Sequence, residues 1–257
     1  MTQVPPPRPL NVPRLVRLLT ELEVADGAVS HQHFSERLGR LINLPDSIAL
    51  SRVHGRLATM TSEIGKETDA TEPTESIVAE FLTVRTKLVE SIVNSFSHGA
   101  GASWLGFPKV TASTPAEELT SYKRYQQFYA NQQREIALRI NTLRANVRLA
   151  VSGRSSRLAR LVVLDSGLDE AFSAPAQKLF AEVPRLLGKR FDDLYQSHLE
   201  TIAGGEADDD PQLWSQAGGW LAQFSGEMQE ALLAELEARL QPVLGLMEAL
   251  KEEGESV

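Results

Sequence analysis

Pro115–Val151 reads PAEELTSYKRYQQFYANQQREIALRINTLRANVRLAV, and the spacing inside it decides the fold class. Thr114 precedes Pro115, and Glu117 follows three residues after the threonine. That is a capping box with proline at the first helical position. Tyr122, Tyr125, Tyr129, Gln132, Ile136, Ile140, Leu143 and Val147 then recur in steps of three and four, a near-heptad seam. At ~1.5 Å per residue the stretch makes a rod of roughly 55 Å, longer than a compact domain of this size needs. The seam opens with three tyrosines and ends aliphatic. The tyrosines pack with their hydroxyls at a wet edge, or they form an aromatic strip that faces a partner.

Working outward, the neighbouring segments are helical too. Thr74 caps a helix to about Ser97 with Ile77, Phe81, Val84, Leu88, Ile92 and Phe96 on one face. The loop between this helix and the long one, HGAGASWLGFPKVTAST from His98 to Thr114, carries Trp104 and Phe107 among glycines. Long loops of this kind are often functional. Either the two aromatics fold back to plug the bundle end, or they form an apolar tip that inserts into a partner. After Ser152-Gly153, Ser155 or Ser156 caps a helix with Leu158, Leu161, Val162, Leu164 and Leu168. A separate helix is expected from Ala174 to Ala203, kinked at Pro184. The last helix runs from about Gln212 to Glu252, along the line Trp214, Ala217, Leu221, Phe224, Met228, Leu232, Leu236, Leu240, Val243, Met247 and Leu250. Gly218-Gly219 and Pro242 are its weak points. Upstream, a helix capped by Asn11 places Leu15, Leu18, Leu19 and Leu22 on one face, and two short helices begin near Ser30 and Pro45.

No long run alternates with period two, so an all-α fold is expected. It is an elongated helical bundle with long coiled-coil-like helices and a small N-terminal helical unit. The expected divisions are a proline-rich tail at 1–10, the short-helix unit at 11–60 and a polar linker at 61–74. The bundle follows at 75–203 with its long basic helix at 115–151, and then an acidic amphipathic helix at 204–257.

With 257 residues, 42% of them apolar and 23% charged, the chain can bury a core. It has no cysteine, which removes disulfides, thiol nucleophiles and thiolate metal sites. The start, MTQVPPPRPLNVP, lacks the apolar core of a signal peptide, and no window approaches the ~18 apolar residues of a spanning helix. No integral membrane segment and a cytoplasmic location are therefore expected. Catalytic patterns are missing as well. There is no glycine-rich phosphate loop and no Gly-x-Ser-x-Gly elbow. His31 and His33, two apart, do not share a helical face, and spacing suggests no third ligand. His54, His98 and His198 stand alone, and Asp208-Asp209-Asp210 lacks calcium-loop spacing. The expectation is no enzyme, no cofactor and no metal.

Charge is the most informative part of the composition. Net charge is −8, but Leu119–Arg160 holds nine cations against Glu135 alone, and Asp192–Val257 holds fifteen acids against Arg239 and Lys251. At ~100° per residue, Lys123, Arg134, Arg144 and Arg148 fall in one sector away from the apolar seam. Four readings stand for that sector: a solvated face, pairing with the acidic C-terminal helix within the chain or across a dimer, phosphate contact along a nucleic acid, or contact with anionic lipid. Candidate partner-binding residues are thus Lys123, Arg134, Arg144 and Arg148, with Trp104 and Phe107 at the loop.

Arg14–Gly27 (RLVRLLTELEVADG), Phe34–Ser51 (FSERLGRLINLPDSIALS) and Tyr122–Asp165 together resemble the proteobacterial family designated domain of unknown function 3348. The resemblance implies a cytoplasmic helical protein of Gram-negative bacteria, with no catalytic residue to carry over. It also implies a genomic setting beside MotA/TolQ-like and OmpA-like envelope proteins. The expected function is a non-enzymatic helical interaction or scaffold protein that self-associates or docks onto a protein partner, accessory to an envelope-associated MotA/OmpA-like assembly. The alternative is a nucleic-acid-associated protein that uses the arginine-rich rod.

Overall fold

The computed structural model describes residues 14–25, 55, 74–97, 106–108, 110, 114–205 and 210–255. All regular elements among them are helices: α1 Arg14–Ala25, α2 Thr74–Phe96, α3 Ala116–Leu119, α4 Lys123–Ser152, α5 Ser156–Ala203, α6 Pro211–Trp214 and α7 Trp220–Glu255. The fold class is all-α, as the periodicity requires. The proline-rich tail, the helices expected near Ser30 and Pro45, and the linker before Thr74 lie outside the described residues, apart from the helical Gly55.

The seam of the long helix is the bundle's interior. Tyr125, Tyr129, Gln132, Ile136, Ile140, Leu143 and Val147 are all buried, and Tyr122 is half-buried. The rod itself is shorter than Pro115–Val151. The Pro115 carbonyl accepts the amides of Glu118 and Leu119, and this closes the single turn α3. A fresh start follows, in which the Tyr122 carbonyl accepts the amides of Tyr125 and Gln126. Leu119 is buried at that corner, so the chain bends where its side chain packs inward.

The opposite correction applies downstream. The two helices expected between Ser155 and Ala203 are one, of 48 residues, or about 72 Å. Ser155 caps it through its side chain, which accepts the Leu158 amide. Pro175 and Pro184 both lie inside. Each lacks an N–H, so the carbonyl four residues earlier loses its ladder donor. For Pro184 that carbonyl belongs to Phe180, and the side chain of Gln133 on α4 donates to it at 2.9 Å. A neighbouring helix thus supplies the hydrogen bond that proline removes, and α5 continues.

The last segment is divided, not continuous from Gln212. Asp210 caps α6 through Oδ1 and the Gln212 amide, the chain turns through Gly218 at φ +89°, and α7 begins at Trp220. The helix then runs unbroken through Pro242. It is no peripheral acidic arm. α7 packs on α1, α2, α4 and α5, and Ala231, Leu232, Ala234, Glu235 and Leu236 are buried over more than half of its circumference. Glu230, Glu237 and Glu248 are exposed on its outer side.

At its middle α7 carries Glu235, at 0% exposure. Its carboxylate accepts from the Tyr129 hydroxyl at 3.1 Å, Gln133 Nε2 at 2.8 Å and Arg239 Nε at 2.8 Å. The Arg239 guanidinium lies over the Phe180 ring, 3.7 Å from its centroid. Gln133 therefore serves two acceptors at once. Gln133→Leu should leave the Phe180 carbonyl and one carboxylate oxygen short of a donor and cost about 2–3 kcal/mol in a urea unfolding titration. A loss below about 0.5 kcal/mol would refute this account of α5.

Candidate functional site

The basic sector divides when its partners are located. Arg144 and Arg148 reach across to α5, where both bond Asp165 and both bond Asp169. Arg144 Nη2 meets Asp165 Oδ1 and Arg148 Nε meets Asp165 Oδ2, each at 2.6 Å, and the Asp165 side chain is 11% exposed. Paired guanidinium and carboxylate groups this sheltered hold the two helices together. Arg134 is exposed, and its Nη1 donates to Asn131 Oδ1 one turn back. Lys123 is exposed at the far end of α4, about 37 Å from Arg148 along the axis. The four residues singled out from the sequence thus do not act as one surface. A cleft of about 760 Å³ does open between α4 and α5 over α7, with Arg134, Arg144, Arg148 and Arg239 in its walls. Asp169 and Glu170 share those walls, and Glu235 engages Arg239. The cleft therefore holds mixed charge.

The other end of the bundle is aromatic. Phe107 folds back onto it, as one reading of the loop required. Its amide donates to the Ser95 carbonyl at 2.8 Å, and its ring stacks on Phe96 and meets Phe128 edge-on. Trp104 lies outside the described residues. From Phe107 the contacts continue through Tyr125, Phe191, Phe224 and Trp220 to Tyr195, Trp214 and His198, with neighbouring centroids 5.1–6.5 Å apart. The tyrosine hydroxyls do not sit at a wet edge. Tyr129 bonds Glu235, and Tyr122 donates to the Pro184 carbonyl. The Tyr125 hydroxyl is buried and meets no partner among the described residues. Gly188 leaves room for Tyr122, since a Cβ there would stand 2.9 Å from the ring.

A pocket of about 450 Å³ is cut into this end, walled by Trp214, Trp220 and His198. The turn that builds it depends on two glycines. Gly218 is left-handed, and a Cβ on Gly219 would overlap the backbone carbonyls of Leu213 and Trp214. The turn brings the two indoles to 5.6 Å, and His198 on α5 meets both. Sequence reasoning missed this site because it placed both tryptophans on one continuous helix, where residues six apart lie on different faces. The signals were present: Asp210-Pro211 opens a helix and Gly218-Gly219 interrupts one. Among the described residues no three His, Asp or Glu side chains are grouped to hold a metal, and no helix is long and apolar enough to cross a membrane.

A family model matches residues 1–252 of this chain. The chain belongs to the family described as Protein of unknown function (DUF3348). The match includes α1 and nearly all of α7, so the family's domain takes in the whole bundle with its aromatic end. No curated protein and no solved structure matches the chain.

Burial sets the titration of the aromatic end. It raises Tyr125 to about 12, partly offset by the nearby Arg124 charge. Burial also raises Tyr122, with Asp192 adding to it, and Tyr129, with Glu235 adding to it. The folded chain therefore holds phenolic protons that an unfolded chain releases near 10.0. Their contribution to stability is complete below pH 10 and is lost as pH rises from 10 towards 12. Absorbance at 295 nm should show Tyr122, Tyr125 and Tyr129 ionising together with the loss of helical dichroism. Phenolate formation by all three near pH 10 in a still-helical chain would contradict this.

Proposed function

We propose that the protein is a non-enzymatic helical scaffold that docks a partner protein's helix along the outer face of α4. One observation carries the reading. Leu138 and Leu149 point away from the bundle at 63% and 78% exposure, and with Thr142 and Ala145 between them they form steps of four, three and four. Single exposed leucines are ordinary, but this spacing is a coiled-coil seam of two heptads. The Thr142 hydroxyl donates to the Leu138 carbonyl at 3.0 Å, which engages its proton within the helix and leaves its methyl available to the seam. The seam lies on the side of α4 opposite Tyr125, Ile136 and Leu143, so a partner helix meets it without opening the core. The reading extends to a cytoplasmic role, accessory to an envelope-associated assembly of the MotA/OmpA-like kind, on the genomic setting that the sequence resemblance implies. The engagement of Arg144 and Arg148 by Asp165 and Asp169 speaks against a rod that reads nucleic-acid phosphates.

Affinity capture from the native host tests the proposal. Leu138→Glu with Leu149→Glu should abolish retention of a protein partner, or dissociate a homodimer in light scattering. Thermal stability should barely move, because exposed positions away from special features cost within about 0.5 kcal/mol. A wild-type chain that is monomeric and retains no protein, or a double variant that captures as well as wild type, would sink the idea.

A further inference from the structure

We propose that residues 28–60 of this chain dock on the bundle's open flank, between α1 and α2, along an apolar stripe of α2. The docking seam on α4 lies on another side of the molecule, and the inference does not rest on it.

The first argument is the opening itself. Around α7, α4 packs on α5, α2 on α4 and α1 on α5. The order is therefore α1, α5, α4, α2, and the side between α1 and α2 is left open among the described residues. On α2, Val78, Leu82, Val89 and Val93 recur in steps of four, seven and four, and at ~100° per residue they fall within about 60° of one another. Glu80, which accepts from Asn146 Nδ2 of α4 at 2.8 Å, stands on the opposite side of the helix. The stripe thus faces away from α4, towards the opening. Leu82 is 51% exposed, Val93 42% and Val78 38%, while Val89 is half-buried against the core. Apolar side chains in one row are a surface for burial, unlike scattered single ones. The stripe leads to a groove of about 360 Å³ among Phe96, Phe107 and Leu221 at the aromatic end.

The second argument identifies the occupant. Residues 28–60 lie between α1 and α2 in the chain, so they are tethered to both sides of the opening. They carry Phe34, Leu38, Leu41 and Ile42, and then Leu50, Val53, Leu57 and Met60, each set at helical spacing. Gly55 is helical and exposed, and its position falls opposite the second set. Helices as short as these stretches make are marginal until an apolar face is packed. The 13 residues between Met60 and Thr74 can extend about 45 Å, and the stripe is about 23 Å long, so the tether reaches all of it at high effective concentration. Charge agrees. The segment holds Arg37, Arg40, Arg52 and Arg56 against Glu36 and Asp46. α7 exposes Glu230, Glu237 and Glu248 in one row, and Arg14 of α1 reaches Glu237, so that row borders the α1 side of the opening. A second copy fits less well. Val78 with Val93, and Leu82 with Val89, are symmetric about the point between Arg85 and Thr86, so two stripes paired in register set Arg85 beside its twin.

The test uses the full chain, which has no cysteine, so Leu82→Cys gives a single thiol for a benzophenone maleimide. Irradiation should yield a product of monomer mass in which peptide mapping joins position 82 to residues 28–60. A dimer-sized product, links confined to other parts of the chain, or no cross-link at all overturns the proposal. Trypsin gives the second measurement. Leu82→Glu with Val93→Glu, both at exposed positions, should speed cleavage after Arg37, Arg40, Arg52 and Arg56 about tenfold or more, because undocking removes their protection. The bundle's cooperative melt should remain, since neither residue belongs to the buried core. Cleavage as fast in wild type as in the variant also overturns the proposal. If the variant loses its melt, the cross-link alone decides.

Discussion

The bundle depends on a carboxylate placed where a carboxylate is most expensive. Glu235 sits at the centre of the innermost helix with no exposed surface. Desolvating such a group costs several kcal/mol, offset only if every oxygen is well engaged. Here three groups from two helices engage it: Tyr129 and Gln133 from α4, and Arg239 from α7 itself. The cation also stacks on Phe180 of α5, so three helices meet at one level. An aliphatic seam permits neighbouring helices to slide by a heptad with little loss. A buried charge with directional partners does not. Glu235 therefore fixes which turn of α4 faces which turn of α7, a use of buried polar groups known from coiled-coil register.

The same level explains why α5 is one long helix. Gln133 bonds both the Glu235 carboxylate and the Phe180 carbonyl that Pro184 leaves without a donor. Nearer the α4–α5 turn, Arg144 and Arg148 hold Asp165 and Asp169, which fixes the start of α5 against the end of α4. Farther along, Tyr122 seats against Gly188 and bonds the Pro184 carbonyl. The hairpin is closed by charge at one end, by a polar relay in the middle and by aromatic packing at the other.

The seam of α4 was legible because burial on a helix follows its period, and seven of the eight positions read from the spacing are buried. The helix breaks were less legible. Pro184 reads as a kink when only local rules apply, and the side chain that relieves it lies on another helix, 47 positions away for the Gln133–Phe180 bond. Gly218-Gly219 was recognised as a weak point, but its severity depends on backbone overlap with Trp214, which no pattern shows. The pocket was invisible for the same reason, since His198, Trp214 and Trp220 meet only after that turn is made. The central position of α7 was hidden by its net charge. Its acids lie mostly on the exposed side, while the buried positions cover the wide arc opposite them.

That distribution changes the meaning of the charge asymmetry. The basic and acidic stretches do meet inside the molecule, but at separate points. Arg157 pairs with Glu252 and Glu253, and Arg14, outside the basic stretch, pairs with Glu237; these contacts are exposed or partly exposed and each is worth little. The tighter pairs are Arg190 with Glu227 across α5 and α7, and the two arginines of α4 with the aspartates of α5. Burial raises Glu227, but hydrogen bonds from Arg190 and Gln223 outweigh it and leave the carboxyl below its ordinary value. That carboxylate favours the fold above the ordinary value, and the contribution is lost as pH falls through the lowered one. Charge in this chain thus works first on its own architecture. Among the surfaces that charge does not fill are the exposed face of α4 at Leu138 and Leu149 and the pocket beside Trp214 and Trp220, where no Asp, Glu, Lys or Arg stands among the described lining residues.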